Sequence, residues 1–88
     1  MQNTIYKVEW KEAAEDNLDE LPSEIALKVH NRVENHLTQL PKQLGKALVG
    51  QYKGLYRYRY GDYRILYEID ADNRLIIINK IGRRKEIY

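Results

Sequence analysis

Apolar and polar residues alternate from Ile5 to Trp10, the period of a strand with one buried face. At Lys11 the period changes. Ala14, Leu18 and Leu21 stand at i, i+4 and i+7 across residues 11–21, the stripe of a short helix that Pro22 interrupts because its nitrogen carries no donor. Ser23 is placed to cap a second helix. Along it Ile25, Val29, Val33, Leu37 and Leu40 share one side until Pro41 closes about 17 residues of amphipathic structure. Residues 42–53 show no clear period, and Gly45 and Gly50 mark a loop with room for a short strand or turn.

From Gly54 onward the pattern is that of β-structure. Strands over 55–60 and 63–69 flank Gly61-Asp62, a two-residue hairpin turn. The polar run Asp-Ala-Asp-Asn-Arg at 70–74 supplies a second turn, and Leu75–Ile81 is apolar enough for a central strand buried on both faces. The order β-α-α-β-β-β predicts an α+β fold, a two-helix hairpin packed on a mainly antiparallel sheet of about four strands. The 88 residues are read as one domain, 1–88, of a size that buries only about 60% of the unfolded surface.

A formal net charge of +2 hides an asymmetry: residues 1–41 carry four basic and eight acidic side chains, residues 42–88 eleven basic and five acidic. The strand-rich half is cationic, and its expected partner is a polyanion, either nucleic acid or an acidic protein. Cysteine is absent, which excludes disulfides and thiol chemistry and suits a reducing cytoplasm. No segment approaches the roughly 20 apolar residues needed to span a bilayer, and the N-terminal residues lack a secretory signal's apolar run, so a cytoplasmic protein without membrane contact is expected.

Candidate chemistry gathers on the hairpin. In an extended strand Arg57 and Arg59 share the face opposite Tyr56, Tyr58 and Tyr60, and Arg64 lies opposite Tyr63, Ile65, Tyr67 and Ile69. Three clustered guanidiniums repel one another without an anion, and their forks bind phosphate in bidentate geometry. The structural alternative is a solvated face that discourages edge pairing. Beyond Gly82, the run Arg83-Arg84-Lys85-Glu86-Ile87-Tyr88 can carry Arg84 and Tyr88 back over the arginines. There a tyrosine ring can stack on a base or its phenol can move a proton, where the alternative is a packing anchor. His30 and His36 are read as ordinary surface residues of the long helix, and Glu12, Glu15, Asp16, Asp19 and Glu20 as a solvated face. Nothing has the spacing of metal ligands, a Walker loop, a dinucleotide fingerprint or a Ser-His-Asp arrangement, so neither metal nor cofactor is expected.

The Leu18-x-x-Leu21-Pro22 helix end, the Gly54-Leu-Tyr-Arg-x-Arg-x-Gly-Asp-Tyr-Arg-x-x-Tyr67 hairpin and the Ile81-Gly-Arg-Arg-Lys-Glu-Ile-Tyr88 tail resemble the RelE/ParE superfamily of small bacterial and archaeal toxins, especially its RelE branch. The resemblance covers essentially the whole chain. It implies a metal-independent, ribosome-dependent endoribonuclease that cleaves the mRNA codon in the A site through attack by the RNA's own 2′-hydroxyl. It assigns Arg57 and Arg59 to phosphate contact and assistance of proton transfer, Arg64 to the pentacovalent phosphorane, Arg84 to the leaving group and Tyr88 to the substrate base. Lys80, Arg83 and Lys85 add phosphate contacts. The implied partners are a cognate RelB-like antitoxin, the ribosome and mRNA, with DNA reached only through the antitoxin complex.

The RelE pattern has lysine where this chain has Arg59, and an arginine that stays charged at every working pH rarely acts as a general base. Proton removal then falls to Tyr88, Lys80 or Lys85, or electrostatic stabilisation acts alone. Two other readings stand beside this one. A ParE-like toxin would bind and poison DNA gyrase and generally lacks the C-terminal arginine and tyrosine arrangement; an inactive antitoxin-binding module would use its arginines only to hold the partner.

Overall fold

Period-two alternation sends Tyr56, Tyr58 and Tyr60 to one side of a strand, and the pairing Tyr60↔Tyr63, Tyr58↔Ile65, Tyr56↔Tyr67 continues that side across the hairpin. In the computed structural model, which describes residues 5–83, this shared side is the core face of a mixed sheet. Its strands are β1 (Lys7–Trp10), β2 (Lys46–Ala47), β3 (Tyr56–Tyr60), β4 (Tyr63–Asp70) and β5 (Leu75–Arg83). They lie in the order β1-β5-β4-β3-β2, with β1 parallel to β5 and every other pairing antiparallel. The fifth strand, β2, lies in the stretch that showed no period and pairs two residues with Arg57 and Tyr56 of β3.

Helices α1 (Glu12–Asp19) and α2 (Ser23–Arg32) cover the core face, and α2 runs on into a π-helical turn, Val33–Leu37. Ala14, Val29, Val33 and Leu37 pack with Tyr58, Ile65, Tyr67, Ile76, Ile78 and Ile81 in one buried cluster. The π turn keeps that packing in line. A straight α-helix advances about 100° per residue, so an i+4 series drifts by about 40° per step and would leave the sheet before Leu37. A wider turn takes up the excess, and Val33 and Leu37 are both fully buried.

Several local expectations are corrected. Ser23 is the first helical residue rather than a cap; Pro22 precedes it, and its carbonyl accepts the Ala26 N–H at 2.9 Å. Pro41 starts a short helix α3 (Pro41–Leu44), because a proline fits a first helical position where no donor is needed. Leu40 leaves the stripe with a non-helical backbone, φ −142° and ψ 63°, and is 51% exposed. β5 is buried on one face only: Ile76, Ile78 and Ile81 face the helices, whereas Ile77 is half-buried and Lys80 exposed. The strand buried on both faces is β4, where Tyr63 through Tyr67 are all buried at the middle of the sheet.

A bulge sets the end of β5. Leu66 pairs with Lys80 but Tyr67 pairs with Ile78, so Asn79 is an extra residue. Unbroken alternation from Ile78 would send Lys80 into the core and Ile81 out of it. The bulge reverses both. At the hairpin tip Gly61 has φ 56° while Asp62 stays at negative φ, the II′-type pattern that matches strand twist. Among the described residues no helix is long and apolar enough to cross a membrane.

The Tyr67 hydroxyl donates to the Pro41 carbonyl at 2.6 Å and ties α3 to the sheet. Burial first, then the neighbouring Tyr56 and Tyr58, push its phenol well above the ordinary value, so it remains a donor at every working pH. A side chain on Gly45 would run into this hydroxyl and the ring carbon bearing it. Tyr67→Phe is expected to cost about 1–2 kcal/mol by leaving a buried carbonyl unpaired, and Gly45→Ala about 1–3 kcal/mol by overpacking. In chemical denaturation the double variant should lose less than the two singles together, because removing the hydroxyl relieves part of the clash. Strictly additive losses would show that the two sites do not meet.

Candidate functional site

The sheet face away from the helices carries the cations. Arg59 and Arg64 are direct cross-strand partners, Arg57 pairs with Leu66, and on the other flank Lys80 pairs with Leu66 and Gly82 with Arg64. Direct partners hold their Cβ atoms about 4.5–5.5 Å apart and diagonal ones about 7–8 Å. The structure thus brings Arg57, Arg59, Arg64 and Lys80 together around Leu66, which is 3% exposed although it lies on the open face. Long basic side chains can shield such a residue with their aliphatic stems while their charged heads stay wet. Gly82 leaves its strand position beside Arg64 without a side chain.

The four cations are not equivalent. Arg59 and Lys80 are exposed, Arg57 is half-buried and Arg64 is 7% exposed. A guanidinium taken that far from water needs partners, and Arg64 is not free of them. It is therefore a fixed positive charge, with the exposed Arg59 and Lys80 beside it. At the tip, Arg59, Gly61, Asp62 and Arg64 line a pit of about 80 Å³, well below the roughly 300 Å³ at which small-molecule pockets begin. Such a surface suits charged groups of a polymer better than an enclosed ligand.

Arg83 stands apart from this cluster. It pairs with Tyr63, and its guanidinium lies 5.7 Å from the centroid of that ring, on the helix side of the sheet. There it borders a cleft of about 210 Å³ with Asn17, Glu20 and Tyr63. The Asn17 side chain accepts the Ile81 N–H at 3.0 Å, fastening α1 to the end of β5. Arg84, Lys85 and Tyr88 lie outside the described residues.

Sequence reasoning missed a second group on the helix side. Arg32 lies 5.5 Å from the Tyr60 ring centroid, and His36 Nδ1 is 2.9 Å from the Tyr58 hydroxyl. Burial pushes the Tyr58 phenol up, against the lowering influence of Arg32's charge and hydrogen bond. On the far side of α2, His30 stacks on Trp10 at 5.5 Å, and Glu34 accepts the Trp10 indole N–H at 3.0 Å. Both histidines are exposed, as expected of surface residues, yet each joins the helix to a strand. The spacing of Lys28, Arg32 and His36 at i, i+4 and i+8 was the signal of a basic helix face. Among the described residues no cluster of His, Cys, Asp and Glu could hold a metal ion.

Comparison with known proteins converges. Residues 8–88 match the family described as the ParE toxin of type II toxin-antitoxin system, parDE. Toxin RelE of Mycobacterium tuberculosis is 36% identical over 83 residues, covering 94% of this chain and 86% of its own. Toxin RelG of the same organism is 31% identical over 83 residues, covering 94% and 95%. A chain of the Mycobacterium tuberculosis toxin-antitoxin complex RelBE2 superposes with a TM-score of 0.87 at 30% identity, covering 91% of this chain and 99% of that one.

An anion-binding face should be detectable without knowing its ligand. Inorganic tripolyphosphate at millimolar concentration is expected to raise the melting temperature by several degrees through preferential binding to the folded state, and Arg59→Gln to reduce that rise by about half. The same rise in wild type and variant would separate Arg59 from the anion site.

Proposed function

The chain belongs to the RelE/ParE superfamily, the toxins of type II toxin-antitoxin systems, and on that premise we propose that it is a ribosome-dependent endoribonuclease that cuts mRNA in the A site and so inhibits translation. The observation that carries this reading is the convergence of Arg57, Arg59, Arg64 and Lys80 from three adjacent strands on one face. In this mechanism the 2′-hydroxyl attacks the adjacent phosphorus as its proton leaves. The phosphorus–5′-oxygen bond breaks and that oxygen is protonated, leaving a 2′,3′-cyclic phosphate and a 5′-hydroxyl. Negative charge grows on the phosphoryl oxygens before the leaving group departs.

Arg64 is suited to that charge because it is held in place and needs little rearrangement when the charge appears. Arg57 and Arg59 grip the flanking phosphate, and Lys80 and Lys85 add phosphate contacts, whereas Arg83, held against Tyr63 on the helix side, takes no part in that cluster. Arg84 supports the leaving oxygen and Tyr88 orients the base, as in the family pattern. No metal takes part. With arginine at position 59, proton removal rests with Tyr88, Lys80 or Lys85, or the fixed cations alone lower the barrier. Docking on the ribosome contributes by holding the message still, since correct positioning supplies several kcal/mol or more in well-oriented reactions. The place of work is the cytoplasm.

The cognate partner is a RelB-like antitoxin, in line with the RelBE2 complex whose chain this one resembles. Acidic and apolar side chains are the complement this surface calls for, and DNA is reached only through that partner. The second reading is a ParE-like toxin that binds DNA gyrase, and what favours it is the ParE name in the description of the matching family.

The deciding experiment incubates the protein with programmed ribosomes, with free mRNA and with gyrase, and maps the 5′ ends of RNA fragments. Cuts inside the A-site codon, seen only with ribosomes and insensitive to chelator, are expected. Arg64→Ala should slow cutting by about 10²–10³-fold, the usual loss for a fixed transition-state donor, and Arg84→Ala or deletion of Tyr88 should remove most of it while the protein stays folded. Intact message together with trapped gyrase would establish the second reading.

A further inference from the structure

The basic surface does not stop at the open face. Tyr60 follows Arg59 directly along β3 and turns to the helix side, where Arg32 covers its ring. Lys28, Arg32 and His36 form one edge of an open groove of about 470 Å³, completed by Asn31, Asn35 and Tyr60. Tyr60 is the direct partner of Tyr63, the residue before Arg64. The hairpin tip thus separates two cationic surfaces by the thickness of a single strand pair.

Charge along the sheet is polarised. At the opposite end of β4 a hollow of about 410 Å³ is lined by Glu68, Asp70 and Asp72. Asn73 donates to Asp70 through its backbone and its side chain, holding that carboxyl below the usual range. The tip attracts a polyanion, whereas at the other end Lys7, Lys11 and Arg74 offset the carboxylates, Lys11 lying 3.6 Å from Glu68.

We propose that the RNA-binding surface continues round the β3–β4 tip onto Lys28, Arg32 and Tyr60, which hold the phosphodiester backbone of RNA away from the cleaved position. This rests on the RNA-cutting reading. The groove favours a nucleic-acid backbone over an acidic protein segment because a protein interface is built round an apolar core, and no aliphatic residue lines the groove. Among the described residues, the exposed large hydrophobic side chains, Ile5, Leu27, Leu40 and Val49, all lie outside it. Spaced cations, side-chain amides and an aromatic ring are what an RNA backbone with an accessible base engages. The tip then acts as a wedge, with scissile phosphate on one face and an anchoring stretch of RNA on the other.

The test measures equilibrium binding to programmed ribosomes and, separately, to a short single-stranded RNA of the message sequence, across a salt series. The variants are Lys28→Glu and Arg32→Gln. Lys7→Glu, which makes the same change of charge at the acidic end of the sheet, is the control. Thermal melting verifies folding. Lys28→Glu is expected to weaken binding about tenfold and to lower the salt slope by about one, with Lys7→Glu within about twofold of wild type. Equal weakening on both probes identifies the backbone as the message's own; weakening on ribosomes alone identifies it as ribosomal RNA. Unchanged binding by both tip variants, an equal loss in Lys7→Glu, or failure of the wild type to bind either probe overturns the proposal. A wild-type protein that binds RNA through Lys28 but leaves it uncut would remove the nuclease reading and keep the surface.

Discussion

Strand parity is the constraint on which the rest of this structure depends. A side chain on a strand has two directions available, and a shift of one residue exchanges them for every position downstream. In β3 and β4 one direction holds tyrosines and isoleucines beneath the helices, and the other holds Arg57, Arg59 and Arg64. The two-residue turn at Gly61-Asp62 preserves that parity across the hairpin. Core and cationic face are therefore products of a single register, and neither can be altered without the other.

The last strand shows how tightly parity is controlled. Ile76 and Ile78 obey it, and Asn79 breaks it by one residue. After that break Ile81 rejoins the core while Lys80 joins the arginines. The strand then ends at Gly82 and Arg83, at the same end of the sheet as the hairpin tip. A bulge disrupts ladder pairing locally, and bulges concentrate near functional sites where a side chain must be re-aimed. Here the re-aimed side chain is a cation, and the same step buries an isoleucine that fills the space beneath α1.

Much of this was legible because period two and period 3.6 leave different marks. The hairpin, its turn, both main helices and the separation of arginines from tyrosines follow from periodicity, whereas the family resemblance rested on the end of the first helix, the hairpin and the 81–88 tail, whose last five residues lie outside the described ones. What escaped had no periodic mark. β2 is two residues long and exists through its pairing with Arg57 and Tyr56, a contact distant in sequence. The π turn and the Asn79 bulge are one-residue adjustments, visible only when one element must fit another. The central position was assigned to the most apolar strand, Leu75–Ile81, but β4 holds it. Its alternating arginine and leucine positions are buried by neighbours on both sides, so composition understated its burial. The histidines were placed correctly on the helix, but their contacts with Trp10 and Tyr58 depend on how α2 crosses the sheet.

The cationic face also bears on the antitoxin partner proposed for this chain. Arg59 and Arg64 stand directly opposite each other, and like charges in that position destabilise a strand pair. On the proposed function, an anion brought to this face, whether a phosphate of RNA or a carboxylate of an antitoxin, would lessen that repulsion. A partner that supplied carboxylates there would then compete with phosphate directly.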